Sequence, residues 1–122
     1  MTEELVTLET AKLLKKKGFN EHCTFAYADE DLRLIKMNSR NSYLDKIGEG
    51  YSAPTQSFAQ KWLREIKGMH VEVSYMHGDY WTYDILTIPE HDLVGLSDRP
   101  LLRYKSYEEA LEAGIQEALK LI

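Results

Sequence analysis

The sequence predicts an α+β fold: a mostly antiparallel sheet of four to five strands packed by about three helices, in the order α-β-β-α-β-β-β-α. Three observations lead there. Residues 69–87 alternate apolar and polar side chains on both sides of "HGD", residues 58–66 carry apolar side chains at helical spacing, and a second helical stripe runs to the C-terminus behind a capping sequence. Strands joined by short turns, with helices between and after them, fit two layers, a sheet covered by helices on one face.

Taken in order, Thr7 opens the first helix. Behind it, "LETAKLLKKKG" sets Leu8, Ala11 and Leu14 at near-helical spacing, with Glu9 at the positive end, Lys15, Lys16 and Lys17 at the negative end and Gly18 as the cap. The lysine triplet reads as a solvated helix end. In "CTFAYADEDLRLIKM", two apolar-rich runs, 23–28 and 32–37, flank an acidic turn and predict a hairpin, whereas the polar, glycine-containing "NSRNSYLDKIGEG" predicts a loop.

"YSAPTQSFAQKWLREIKG" packs hydroxyl and amide side chains into the approach to a helix whose face holds Phe58, Ala59, Trp62, Leu63 and Ile66. Pro54 suits a first turn, Ser52 or Thr55 can accept from the free amides there, and Gly68 ends the helix. "MHVEVSYMHGDYWTYDILTI" predicts a second hairpin, with Met69, Val71, Val73, Tyr75, Trp81, Tyr83 and Ile85 on one face and Glu72, Ser74, Thr82 and Asp84 on the other. "PEHDLVGLSDRP" reads as a loop and "LLRYK" as a short strand. Ser106 and Glu109 then stand at capping-box spacing before a helix with the stripe Leu111, Ile115, Ala118, Leu119 and Ile122, in which Gly114 allows a close neighbour.

A chain of 122 residues with 43% apolar and 11% aromatic side chains can bury a core without disulfides or metal, and no stretch resembles a linker, so one globular domain over residues 1–122 is expected. Fifteen basic against 20 acidic side chains give a net charge of −5, which argues against duplex nucleic acid as a partner. "MTEELVTLET" lacks the basic and apolar pattern of a secretory signal, and no apolar run approaches membrane-spanning length. A soluble cytoplasmic protein without membrane partners is expected, and the single Cys23 agrees with a reducing compartment.

Little in the sequence points to catalysis. His22 and Cys23 are neighbours that point apart in a strand, and His70, His77 and His91 lack the paired spacing of a zinc site, so no metal ligand is assigned. There is no serine elbow, no activating motif around Cys23 and no phosphate-binding glycine loop; "GEG" at 48–50 follows no expected strand. No catalytic residue and no cofactor is assigned, and a hydrolase built on Cys23 or Ser57 is the lesser expectation.

Two groups of residues remain as ligand-binding candidates. At the helix start, Tyr51, Ser52, Thr55, Gln56 and Ser57 offer hydroxyls and free amides to a small anion, with Arg40, Lys46 or Lys61 to add charge. In the second hairpin, Tyr80 and Trp81 offer a stacking platform or a subunit contact. Each group also has a structural reading, N-capping for the first and core packing for the second.

"YSAPTQSFAQKWLRE" and "SYEEALEAGIQEALKLI" resemble segments of small proteins encoded by phages, prophages and mobile elements of gut Bacteroidetes, a similarity that runs over most of the chain from "TLETAKLLKKKGF" onward. The resemblance implies an accessory protein of a bacterial cytoplasm and carries over no catalytic or binding residue. The expected function is a non-enzymatic binding protein, homo-oligomeric, that contacts a host or phage protein through its sheet face or aromatic hairpin. The alternative is a sponge for a phosphorylated nucleotide, held by the helix start and the aromatics.

Overall fold

Among residues 3–94 and 102–122, which the computed structural model describes, four helices and five strands follow one another as α-β-β-α-β-α-β-β-α. The fold is α+β, and its strands form two small antiparallel sheets, of three strands and of two, where one larger sheet was expected. The chain divides into two units, Met1–Thr55 and Gln56–Ile122, each with its own sheet and helices.

In the first unit, α1 (Leu8–Lys16) is capped as its sequence predicts: the Thr7 hydroxyl accepts from the Thr10 N–H at 3.4 Å, and Ala11 and Leu14 are buried. Gly18, at φ +95°, turns the chain so that the Phe19 N–H reaches the Leu14 carbonyl at 3.0 Å and the Phe19 ring enters the core. The lysine triplet is not wholly a solvated end. Lys15 donates to the Gly50 carbonyl at 2.8 Å, pairs with Asp45 and lies over the Tyr51 ring.

β1 (Cys23–Ala28) and β2 (Arg33–Ser39) form the first hairpin. Asp29, at φ +72°, accepts from the Asp31 N–H at 2.8 Å and binds the Arg33 guanidinium, which closes the turn. The Asp31 amide, before Arg33, holds the Asp29 carboxyl below the usual carboxylate range.

Two expectations are corrected here. Residues 40–50, expected as a loop, contain α2 (Asn41–Ile47), whose cap residue Arg40 makes no side-chain cap bond. The cap comes from elsewhere: Asn20 Oδ1 accepts from the Ser42 N–H at 2.9 Å, and Asn41 donates to the Phe19 carbonyl at 2.7 Å and accepts from the Ser52 N–H at 2.8 Å. Leu44 is buried, facing Gly50 and Ala28. Second, Ser52 does not start a helix. It ends β3 (Gly50–Ser52), which pairs with β1 through Ala26↔Ser52 and Ala28↔Gly50, giving the order β2-β1-β3.

The second unit opens with α3 (Gln56–Ile66), which buries Ala59, Trp62 and Leu63 as its spacing predicts. Ile66, expected on the same face, is exposed. β4 (Met69–Met76) and β5 (Tyr80–Thr87) form the predicted hairpin and pair over their full length, with Val71↔Ile85, Val73↔Tyr83 and Tyr75↔Trp81 opposite one another. Gln60 on α3 donates to the Val71 carbonyl at 2.6 Å and so seals part of the β4 edge.

α4 (Tyr107–Leu121) is capped by Ser106, which accepts from the Glu109 N–H at 3.1 Å, while Glu109 reaches back to the Lys105 N–H at 3.2 Å. Leu111, Ile115, Ala118 and Leu119 are buried, and Gly114 passes so close to the hairpin that a Cβ there would lie 2.5 Å from Val71 Cγ1. The "LLRYK" strand is reduced, within the described residues, to one bridge between Tyr104 and Trp81; Leu101 lies outside them.

Candidate functional site

The turn between β4 and β5 is tight because Gly78 and Asp79 both adopt positive φ, at +106° and +61°. Asp79 accepts a hydrogen bond from the Tyr75 hydroxyl, which keeps that phenol above its ordinary pKa. Tyr75 in turn lies against its cross-strand partner Trp81, with ring centroids 4.9 Å apart and planes tilted by 57°.

On its other side Trp81 meets the ring of Tyr107 edge-on, at 5.6 Å and 87°. Tyr107 is the first residue of α4, so the helix that buries the middle of the hairpin stops short of its tip. Tyr75 is accordingly 57% exposed and Tyr107 40% exposed, with Trp81 half-buried between them. The Trp81 backbone is fixed by two 2.9 Å bonds with Tyr104. Tyr80, one residue along and therefore on the opposite face, lies under the Arg103 guanidinium at 4.5 Å.

Tyr80 and Trp81, singled out by sequence, thus lie at one hairpin tip but on opposite faces, Trp81 with Tyr75 and Tyr107 and Tyr80 with Arg103, all of residue types enriched at protein interfaces. Tyr107, Tyr104 and Arg103 escaped sequence reasoning. The only signal for Arg103 and Tyr104 was the short "LLRYK", read as a strand, and Tyr107 was read only as part of the last helix; the Tyr104–Trp81 bridge that brings this segment to the hairpin joins residues far apart in the chain.

The helix-start residues are distributed differently. Ser52 is fully buried in β3, with its Oγ lacking a hydrogen-bond partner of ordinary geometry. Tyr51 belongs to the same strand; its hydroxyl donates to Glu49 at 3.1 Å, and its ring carries the ammonium groups of Lys15 at 4.9 Å and Lys12 at 5.7 Å. Loss of hydration, followed by Glu49, raises the Tyr51 phenol. Thr55 bridges to Leu5, and Arg40 donates to the Asn20 carbonyl at 3.0 Å.

Gln56 and Ser57 begin α3 in the other unit. Gln56 is buried, and its amide donates to the Glu108 carbonyl at 3.0 Å and to the Glu112 carboxylate at 2.8 Å. Ser57 is exposed. Gln56 therefore ties α3 to α4, and the carboxylate beside it repels an anion.

Cys23 is buried, and burial, followed by the charge of Glu21, pushes its thiol up to about 11, while the Ser52 hydroxyl opposes the rise. A thiol that keeps its proton at neutral pH is a poor nucleophile. Labelling with a thiol reagent at pH 8 is expected to be at least about tenfold slower for the folded protein than for the protein in denaturant, and to accelerate as pH approaches the shifted value. Equal rates at pH 8 would show an accessible, reactive thiol. Since the folded state holds this proton more tightly than the unfolded state, the thiol favours unfolding only as pH rises from its ordinary 9.0 toward about 11.

No group of three or more His, Cys, Asp or Glu side chains converges as a metal site among the described residues, and no helix among them is long and apolar enough to cross a membrane. No protein-family model, curated protein or solved structure matches this chain.

Proposed function

We propose that the chain is a non-enzymatic binding protein of the mobile-element kind its sequence resembles, acting through protein contacts made by the aromatic tip of the β4–β5 hairpin. The observation that carries this reading is the exposure of Tyr75 and Tyr107 on either side of a half-buried Trp81. A fully exposed aromatic side chain can bury about 150–250 Å²; with these three already partly covered, their exposed portions supply an anchor within the roughly 800 Å² that a standard interface covers on one partner. Their rings are already ordered against one another, which lowers the entropy lost on binding.

The first partner tested is a second copy of the chain. Light scattering is expected to give a dimer or larger, and Tyr75→Ala with Tyr107→Ala to shift it to monomer at the same concentration with unchanged thermal unfolding. Emission from Trp81, isolated by Trp62→Phe, should move to shorter wavelength as concentration rises. A monomer at every concentration, with Trp81 emission constant, would remove the assembly and leave a heterologous partner as the only form of the proposal. Two of the residues proposed to cradle a nucleotide are engaged otherwise, Ser52 by burial and Gln56 by hydrogen bonds to Glu108 and Glu112, which favours the protein-contact reading over the nucleotide one.

A further inference from the structure

The second unit has an open strand edge that leads into the aromatic tip. Three contacts fix the direction of the peptide groups along the β4–β5 ladder. Trp81 exchanges both of its backbone bonds with Tyr104, Ile85 accepts from the Val94 N–H at 3.0 Å, and Val71 accepts from the Gln60 amide at 2.6 Å. These residues therefore turn their peptide groups away from the opposite strand. In an antiparallel pair opposed residues share that direction, and it alternates along each strand. Tyr75, opposite Trp81, and Val73, midway between Val71 and Tyr75, turn their peptide groups outward as well.

Among the described residues, nothing answers the outward N–H and C=O of Val73 and Tyr75. Gln60 of α3 seals the edge at Val71, and beyond that point Glu72, Tyr75 and Met76 are exposed. Residues 72–76 contain no proline, lysine or arginine, and they pair with β5 without a bulge, so this stretch lacks the usual devices that keep strand edges apart. Its one charge, Glu72, stands at the end of the stretch.

A second copy of β4 complements this edge in one register. With the strands antiparallel about a two-fold axis at Ser74, Val73 of each copy faces Tyr75 of the other, and every outward N–H meets an outward C=O. An axis at Val73 would call on Val71, already bound to Gln60, and an axis at Tyr75 would call on His77, past the end of β4. The side chains agree. Each exposed Tyr75 ring gains a β-branched Val73 across the strands, Ser74 meets Ser74, and Glu72 lies opposite Met76, so no like charges oppose each other. The turn after Met76 leads each chain back to its own β5, away from the shared edge. We propose that two copies join edge to edge through β4 in this register and so merge their hairpins into one continuous sheet. The inference rests on the self-association proposed above and gives it a geometry.

The test uses the whole chain under mild oxidation. Ser74→Cys is expected to form a disulfide-linked dimer at least about tenfold faster than Thr82→Cys, because residues opposed at the axis bring their Cβ atoms within disulfide reach. Thr82 lies opposite Ser74 in the same hairpin, one strand further from the axis, and the buried Cys23 does not compete. Ser74→Lys, which sets two ammonium groups against each other, should return the chain to monomer by light scattering with its circular dichroism unchanged. Association without cross-linking at Ser74→Cys, equal cross-linking at Thr82→Cys, or a monomer at every concentration would each overturn the edge pairing. The first of these leaves the aromatic-tip reading standing. Conversely, cross-linking at Ser74→Cys that survives Tyr75→Ala with Tyr107→Ala would remove the aromatic tip as the source of association and support the strand edge.

Discussion

Gly114→Ala is expected to destabilise the protein by about 2 kcal/mol, although alanine is the better helix former by roughly 1 kcal/mol. A Cβ at this position would stand 2.5 Å from Val71 Cγ1 and 3.0 Å from the Tyr83 ring. Neither neighbour can yield easily. Val71 is fully buried on a paired strand with a stiff, β-branched side chain, and Tyr83 is a buried ring. α4 must therefore move off the sheet, loosening the contacts of Leu111, Ile115 and Ala118. A double-mutant cycle checks the cause: combined with Val71→Ala, the glycine substitution should cost at least about 1 kcal/mol less than it does alone. A rise in Tm on Gly114→Ala would show that helix and hairpin do not approach so closely.

Asn41→Ala carries the other large effect, about 3 kcal/mol, for a different reason. The Asn41 amide spans the Phe19 carbonyl and the Ser52 N–H, at 2.7 and 2.8 Å, and all three residues are buried. Truncation leaves a donor and an acceptor with neither water nor protein partner, at about 1–3 kcal/mol each. Asn20→Ala removes a cap bond to Ser42 at an exposed site and should cost only about 1 kcal/mol. Chemical denaturation measures both, and amide exchange at Ser52 should accelerate in Asn41→Ala alone. Equal, small effects would mean that the buried amide is not what holds α2 in place.

These cases mark where the sequence was legible. The β4–β5 hairpin could be read because alternation and a glycine turn are local properties, and Gly114 stood out as the one glycine in the last helix. Ser106 and Glu109 likewise act within their own turn. α2 was missed because its determinants are not local: Arg40 makes no cap bond, and the groups that fix the helix start, Asn20, Phe19 and Ser52, arrive from other elements.

The same reason accounts for Ser52. A hydroxyl ahead of a helix looks like a cap, yet pairing with Ala26 places it inside a sheet, and pairing is a relation between distant residues that periodicity does not record. The division of five strands into two sheets is lost for this reason too. At the candidate surface, Tyr80 and Trp81 were found by composition. The residues that complete it, Tyr107 and Arg103, required knowing that the chain returns to Trp81 at Tyr104.

The division of the chain gives each unit its own private reporter. Both tryptophans, Trp62 and Trp81, belong to Gln56–Ile122, while the lone cysteine, Cys23, is buried in Met1–Thr55. Indole emission during denaturation therefore records the second unit, and the onset of thiol reactivity records the first. Two midpoints that coincide would mark a single cooperative transition, and two that separate would rank the halves by robustness, all in the native sequence without an introduced label.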